Sequence, residues 1–518
     1  MACWWVTPEE MALFDRRTIS AGTPAEDLME QAGAAVFKTA SRMTSPGDGP
    51  VAVFCGPGNN GGDGFVTSRL LMQAGYDVRA VLAAESASSI SPLCMKNLVR
   101  FRDSGGTVMG TNRVLETAGA PALVIDALLG TGLRGPLTGV FAACAQAMAG
   151  SGAPVLAVDT PSGIDGATGL MDPLTPRAAV TVCLGAVKAG LLLPPGCSRA
   201  GSIFLADIGI GVDERPDREL MDFAAAAGML PPRPVDAHKN LFGRLMLIGG
   251  SEAMPGAAML MTMGALRAGA GLVHLFVPYP AAPAVSGRIP EALSGYFLPG
   301  DVTSLPDPAS FDVVAAGPGM GAGVDTSKIV RHVLFDWDKP VVLDADGLNV
   351  LEGSLTGLAA RKSPSVLTPH PGELRRMTGG DWSGQQGAWD IAASLAKATG
   401  SVVLLKGRPT MVFSPTGRRM LVPTGNSGLA TGGSGDVLTG VIAALMGQGA
   451  GPFEAAALGA FIHGLSADLA VTRTSGRSLL PSDVADAMGR AFLLLEHGSF
   501  HGLVRLEGRW NGRLWPDP

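Results

Sequence analysis

Gly56-Pro57-Gly58-Asn59-Asn60-Gly61-Gly62-Asp63-Gly64 stands between an apolar run, Val51–Cys55, and a helical pattern, Phe65–Ala74. Glycines at such a place let the backbone approach a ligand, and free N–H groups at a helix start attract phosphate. Asn59, Asn60 and Asp63 add amide and carboxylate oxygens. A second stretch, Gly425-Asn426-Ser427-Gly428-Leu429-Ala430-Thr431-Gly432-Gly433-Ser434-Gly435-Asp436, precedes an apolar helical pattern, Val437–Met446. Gly432 to Gly435 at a helix N-terminus make an anion hole for a phosphoryl group in flight. Asp436, on the first turn, can accept a proton from a substrate hydroxyl. Lys406-Gly407-Arg408-Pro409-Thr410 follows the strand pattern Val402–Leu405 and suits a nucleotide phosphate or ribose. No G-x-x-x-x-G-K-[ST] pattern is present, which removes the P-loop reading.

Two further strand ends carry acids. Leu123–Asp126 leads into Ala127-Leu128-Leu129-Gly130-Thr131-Gly132, and Val155–Asp159 leads into Thr160-Pro161-Ser162-Gly163-Ile164-Asp165. Alone, either aspartate reads as a turn or cap residue; together with the Asn-Asn run they predict one crevice at the carboxyl ends of parallel strands. Bland readings exist for other residues too. Lys188 and Lys406 read equally as surface charges, and His370 as a structural residue in a Pro-flanked turn.

The elements that must hold these residues are of α/β type. A helical opening is expected over Thr7–Ala40, with a capping start at Thr7-Pro8-Glu9-Glu10. Strands are expected at Val51–Cys55, Val78–Ala83, Leu123–Ile125, Val155–Val158 and Ala179–Leu184, then at Arg244–Ile248, Leu272–Val277, Val313–Ala316, Val341–Leu343, Val366–Leu367 and Val402–Leu405. The stretch from Asp436 to Leu495 reads as helical. Clustered charges, an alanine run and Pro231-Pro232-Arg233-Pro234 make 215–235 the expected linker. It separates a first domain, 1–214, from a second, 236–500, and 501–518 forms a tail without a clear pattern.

A chain of 518 residues exceeds one ordinary core, which agrees with two domains. A net charge of −6 without a basic cluster gives no footprint for nucleic acid. Met1–Met11 lacks a basic segment followed by an apolar one, so no signal peptide is expected. The longest apolar stretches are broken, as 268–287 is by Pro278, Pro280 and Pro283, so no membrane span is expected. Six scattered cysteines without a C-x-x-C pair predict reduced thiols in a cytoplasmic protein.

From Thr7 to Gly211, including Leu28-Met29-Glu30-Gln31-Ala32-Gly33, the sequence resembles the epimerase domain of bifunctional NAD(P)H-hydrate repair proteins. The resemblance implies a Rossmann-like three-layer α/β domain that interconverts the R and S forms at C6 of the hydrated nicotinamide ring. It implies substrate contacts at Asn59, Asn60, Gly61, Gly62 and Asp63, at Gly130, Thr131, Gly132, Leu133, Arg134, Gly135 and Pro136, and at Asp159. It also implies a potassium ion on Asn60, Asp126 and Ser162; all offer oxygen, and spacing alone does not name potassium. Asp159 is the candidate acid/base, and Lys188 matches a lysine of that family. Cys183-Leu184 departs from the family's Thr-Phe.

From His238-Lys239 to Asp468 the chain resembles the dehydratase domain of the same family. The carrying motifs are Gly249-Gly250-Ser251, Gly317-Pro318-Gly319-Met320-Gly321, Asp344-Ala345-Asp346-Gly347 and Thr368-Pro369-His370-Pro371-Gly372-Glu373. A ribokinase-like α/β domain is implied, dehydrating the S hydrate with ADP or ATP and Mg²⁺. Ala257, Gly319, His370 and Asp436 are implied to contact the hydrate. Lys406, Gly407, Arg408, Pro409, Thr410 and Gly435 are implied to hold the nucleotide. Asp436 is the candidate base, sending the C6 hydroxyl onto the terminal phosphoryl group so that phosphate leaves. NADHX, NADPHX and ADP or ATP are the expected partners, and a homo-oligomer is expected. The alternative is a ribokinase-like small-molecule kinase fused to a non-catalytic nucleotide-binding module.

Overall fold

The structure, a computed structural model, describes residues 3–84, 86–109, 121–132, 135–215, 217–351, 355–498, 503–507, 509–510 and 513–514. The chain divides into two units, one of Cys3–Arg215 with the segment from Ser499 onward, the other of Pro216–Gly498.

The first unit holds β1 (Cys3–Val6), β2 (Val51–Cys55), β3 (Val78–Leu82), β4 (Val108–Met109), β5 (Leu123–Ala127), β6 (Val155–Val158), β7 (Val180–Leu184), β8 (Val187–Lys188) and β9 (Ser202–Ala206). Its main sheet runs β9-β7-β6-β5-β2-β3-β4, all parallel. Val51, Val53 and Cys55 join one apolar cluster with Phe65, Leu71 and Phe101, whereas Ala52 and Phe54 join another with Cys144 and Met148. Alternate residues of one strand thus bury under helices on opposite faces, which is why these strands read as unbroken apolar runs. The result is a three-layer, Rossmann-like arrangement. The chain leaves β2 toward β3 and β4 but returns on the other side with β5, so the order reverses between β2 and β5. At such a switch point neighbouring loops part and open a crevice.

Two helices, Pro8–Ser20 and Ala25–Met43, replace the single helical opening. The first helix ends at Ser20, and Gly22, at φ 110°, with Pro24 after it keeps it from running on into the second. The predicted capping box is present: the Thr7 hydroxyl accepts from the Glu10 N–H at 3.3 Å, and the Glu10 carboxylate accepts from the Thr7 N–H at 2.9 Å. A further helix begins at Asn59, six residues before the expected Phe65. Its start folds back tightly: a Cβ on Gly61 would lie 1.8 Å from the Gly56 carbonyl oxygen.

The second unit holds β10 (Glu219–Leu220), β11 (Arg244–Ile248), β12 (Leu272–Pro278), β13 (Leu293–Phe297), β14 (Val313–Ala316), β15 (Val341–Leu343), β16 (Ser365–Leu367), β17 (Val402–Leu405), β18 (Thr410–Phe413) and β19 (Arg419–Val422). They run β13-β12-β11-β14-β15-β16-β17-β18-β19-β10, parallel from β13 to β17 and antiparallel across β17-β18-β19. Here the order reverses between β11 and β14. The helices Ser434–Gly447, Pro452–Ala470 and Pro481–His497 account for the helical pattern from Asp436.

The segment 215–235 is not a free linker. Glu219–Leu220 pairs with β19, Asp222 caps the helix Phe223–Gly228 through the Ala225 N–H at 2.6 Å, and Phe223 meets Phe461 edge-on at 5.2 Å. The charges that suggested solvent belong in part to Glu219, which takes two hydrogen bonds from Arg418 at 2.9 and 3.0 Å. The tail is not patternless either: Leu503–Glu507 pairs antiparallel with β9. Phe223→Ala is expected to cost the second unit about 3 kcal/mol, as loss of a buried aromatic does, read as a lower denaturation midpoint; a tether would show no shift.

Candidate active sites

In the first unit, β2, β5 and β6 end side by side and carry Gly56, Asp126 and Asp159 to one edge. A cavity of about 570 Å³ opens there, lined by Asn59, Asn60, Asp63, Gly130, Asp159 and Lys188 among others. Lys188 is 1% exposed, so it is not the surface lysine its sequence allowed. Its ammonium forms an ion pair with Asp159 and donates to the Leu184 carbonyl at 2.8 Å. Asp159 also accepts from the Leu184 N–H at 3.1 Å and holds a left-handed backbone, φ 65°. Burial, and then the charges of Asp159 and Asp15, push Asp63 well above the usual carboxylate range, with Lys188 pulling partly back. A carboxyl that keeps its proton beside a lysine-paired one can donate while the other accepts.

Asp126 and Ser162 lie behind this cavity, both fully buried. The Ser162 hydroxyl donates to Asp126 at 2.6 Å, its N–H to the other carboxylate oxygen at 2.8 Å, and the Leu129 N–H donates to the hydroxyl at 2.9 Å. Burial raises the Asp126 pKa, and these hydrogen bonds pull it back in part. The Asn60 amide nitrogen is buried without a partner, and a Cβ on Gly130 would come within 3.5 Å of the Asn60 side-chain oxygen. The oxygens of Asp126 and Ser162 are of the kind a hard monovalent cation takes, whereas the orphaned Asn60 nitrogen is an N–H donor and calls for an acceptor.

Not every expected contact reaches the cavity. Gly61 packs on the Gly56 backbone and Gly62 on the Met29 side chain, because the early helix start turns both into the junction with the strand. Thr131 and Gly132 line the cavity, whereas Gly135 and Pro136 are exposed beyond it. Leu133 and Arg134 lie outside the described residues. Asp15, on the helix Pro8–Ser20, also lines the cavity; nothing in its helical sequence context marks it.

In the second unit β15, β16 and β17 bring Asp344, His370 and Lys406 to one edge. Lys406 donates to Asp344 at 2.6 Å and lies 3.6 Å from Glu373. Burial would lower its pKa, but Asp344 and Glu373 outweigh that and raise it. Thr439 fixes the second Asp344 oxygen at 2.8 Å. His370 caps the helix Pro371–Thr378, its Nδ1 accepting from the N–H groups of Gly372 and Glu373 at 2.9 and 3.2 Å, while Glu373 accepts from the His370 N–H at 2.8 Å. Asp436 stands on the first turn of Ser434–Gly447. Burial, then Asp344, push its pKa up to about 7, Lys406 opposing and Asp346 and Glu373 adding to the rise. Asp344 and Glu373 were legible only as motif positions; their shared lysine is a tertiary contact.

Gly435 sits against this cluster, since a Cβ there would lie 3.3 Å from both the Asp344 carboxylate and the Lys406 ammonium. A cavity of about 350 Å³ continues from it, lined by Lys406, Gly407, Arg408, Thr410 and Gly435 among others. Arg408 donates to the Gly425 carbonyl, and Pro409 follows a cis bond without lining the cavity. Ala257 and Gly319 meet at the β11/β14 switch point, where a Cβ on Gly319 would lie 2.7 Å from that of Ala257.

A Rossmann-like unit with an acid–lysine crevice, joined in one chain to a ribokinase-like unit whose Gly-rich helix start faces a nucleotide-sized cavity, defines a two-site nucleotide-handling enzyme. The NAD(P)H-hydrate dehydratase family profile matches residues 245–490, and that of the YjeF-related protein N-terminus matches residues 25–190. The bifunctional NAD(P)H-hydrate repair enzyme Nnr of Moorella thermoacetica is 36% identical over 93% of this chain and 95% of its own. Its counterpart in Gloeobacter violaceus is 38% identical over 89% and 92%. The ADP/ATP-dependent NAD(P)H-hydrate dehydratase of Bacillus subtilis, crystallised with ATP and Mg²⁺, is 32% identical over 53% of this chain and 97% of its own, with a TM-score of 0.47. The chain belongs to the bifunctional NAD(P)H-hydrate repair enzymes.

Lys188→Met leaves the Asp159 carboxylate buried and unpaired, a loss of about 3–5 kcal/mol. It should lower the first unit's melting midpoint and epimerisation while sparing dehydration of pure S hydrate. Asp436 must be ionised to act as a base, and it loses its proton as pH rises through about 7. Dehydration kcat/KM should therefore climb toward that pH and level off above it. Asp436→Asn should remove that activity by about 10²–10⁴-fold and leave epimerisation unchanged.

Proposed function

We propose that the two crevices act in succession on hydrated NADH and NADPH, the first interconverting the R and S forms at C6 and the second dehydrating S with ADP or ATP. Two features carry this reading: the convergence of Asp436, Lys406 and Asp344 at a Gly-rich helix start, and a separate carboxyl–lysine crevice in the other unit.

In the first crevice Asp159 is the acid/base, positioned by Lys188, while Asp63 holds a proton beside it. Proton transfer at the C6 oxygen accompanies ring opening or loss of water. Asn60, Asp126 and Ser162 would hold a potassium ion, whose positive charge would steady an oxygen of the substrate. In the second crevice Lys406, Arg408, Thr410 and Gly435 hold the nucleotide, and Ala257, Gly319 and His370 the hydrate. Asp436 takes the proton of the C6 hydroxyl, whose oxygen bonds to the terminal phosphorus as the bond to the nucleotide breaks. Loss of phosphate from C6 and of a proton from C5 to solvent then restores the C5–C6 double bond, giving AMP from ADP or ADP from ATP. Mg²⁺ bound with the nucleotide would neutralise the charge of its phosphates beside Lys406 and Gly435. Asp344 and Glu373 hold the lysine in place.

Reduced thiols accord with a cytoplasmic setting, and none of the six cysteines forms a disulfide. No helix among the described residues is long and apolar enough to cross a membrane. A homo-oligomer without nucleic-acid partners completes the reading. The alternative of a kinase fused to a non-catalytic module is not favoured, since the relatives named above match across both units and are bifunctional.

Variants of the intact chain test it. With mixed R and S hydrate and ADP, the native protein should restore all dihydronicotinamide absorbance, Asp159→Asn should halt at the S fraction, and Asp436→Asn should restore none. Mixing the two variants should recover the whole; full recovery by Asp159→Asn alone, above the no-enzyme rate on pure R hydrate, removes the epimerase role.

A further inference from the structure

Asp15 stands on the cavity face of the helix Pro8–Ser20, since Met11, Ala12 and Ile19, one turn to either side of it, line the first unit's cavity with it. Leu28 and Ile210 add to that lining, so the acid opens onto a largely apolar wall. Among the described residues its carboxyl takes no hydrogen bond and no ion pair. Arg16, the next residue on the helix, is exposed and draws Asp15 only partly back from the rise that burial causes. An acid without a partner on an apolar cavity wall points to a donor or a positive charge on the ligand.

The charges around the cavity do not cancel. Lys188, the one cation among the described lining residues, is committed to Asp159. Asp63 is buried, and the charge of Asp15 is among those that keep its proton on. Asp15, only part-buried and beside Arg16, therefore ionises before Asp63 and leaves one uncompensated negative charge on the helix wall. Two routes interconvert R and S at C6, and they put opposite charges on the ring. Ring opening removes the hydroxyl proton and sends the C6–N1 electron pair onto N1, so negative charge grows. Loss of water breaks the C6–O bond, its pair leaving with oxygen, while the N1 lone pair forms N1=C6; positive charge grows on N1 and C6. A fixed carboxylate in a low-dielectric wall favours the second route and opposes the first.

We propose that Asp15 is a further catalytic residue of the first crevice, facing the hydrated ring and stabilising the N1=C6 cation as water leaves. Asp63 gives its proton to the departing hydroxyl; water then adds to the opposite face of C6 and yields a proton to Asp159. That proton passes back to Asp63 before the next turnover, which closes the cycle. The proposal rests on the epimerase reading of this crevice and decides its route.

The intact chain without nucleotide, its second site idle, is given pure R hydrate in water labelled with heavy oxygen. Early S product, corrected for exchange without enzyme, should carry the heavy isotope at C6. Ring opening returns the original oxygen to C6, so unlabelled S product overturns the proposal. Asp15→Asn keeps the shape and removes the charge; epimerisation kcat should fall about 10²-fold or more, with KM for R hydrate within about threefold of native. Asp15 has no partner to lose, so the first unit's melting midpoint should not fall, and Asp15→Glu should restore part of the rate. A kcat within about threefold of native overturns the role of Asp15. So does a tenfold rise in KM at native kcat, which leaves it a contact to the ground state alone. Asp15→Ser supplies the same comparison where Asp15→Asn fails to fold. If the native chain does not speed R to S beyond the rate without enzyme, the epimerase reading itself falls; if it does and Asp15→Asn matches it, this proposal alone falls.

Discussion

Taking a lysine ammonium out of water costs several kcal/mol unless a carboxylate meets it, and each crevice is organised around meeting that cost. In the first unit Lys188 is covered by protein and must find Asp159 at the end of β6. That aspartate adopts a left-handed backbone, a strain of roughly 1–3 kcal/mol, and is held there by the lysine and the Leu184 N–H. In the second unit Lys406 is held by Asp344 and Glu373, and Glu373 is itself fixed by its reciprocal cap with His370. Disturbing either lysine therefore disturbs a strand end, a turn and the orientation of the acid beside it.

These pairs can form only because parallel strands deliver their carboxyl ends to a common edge. Asp126 and Asp159 come from adjacent strands, as do Asp344 and His370. Reversal of strand order then opens the edge, between β2 and β5 in one unit and between β11 and β14 in the other. The units differ in what their helix starts offer. The helix from Asn59 presents amide and carboxyl side chains, whereas that from Ser434 presents glycine backbone and one acid, suited to a transferring phosphoryl group.

Crowding carboxyls into low-dielectric edges separates their protonation. Asp63 is pushed up by burial and by Asp159 and Asp15, while Asp159 has the lysine. Asp436 rises to about 7 because it is buried near Asp344, whose own lysine and Thr439 hydroxyl are already in place. Neighbouring acids thereby acquire different duties from the same chemistry.

Local sequence was enough to determine the strands Val51–Cys55, Val155–Val158, Arg244–Ile248 and Val402–Leu405, the Thr7 capping box, the strand ends bearing Asp159 and Lys406, and the helix start bearing Asp436. Each depends on near neighbours: an apolar run, a cap spaced by three residues, glycines before a helix. Pairings across long separations were not legible. Lys188 with Asp159, Lys406 with Asp344 and Glu373, and Glu219 with Arg418 join residues from different elements. Pattern also misplaced the start of the helix at Asn59 and the role of 215–235, because glycine-rich and charge-rich stretches look unstructured until a partner backbone or arginine arrives. Residue type and short-range spacing determined which groups could do chemistry; only the packing of the sheets decided which of them are dry, paired and facing one another, since burial and charge pairing are properties of neighbours in space.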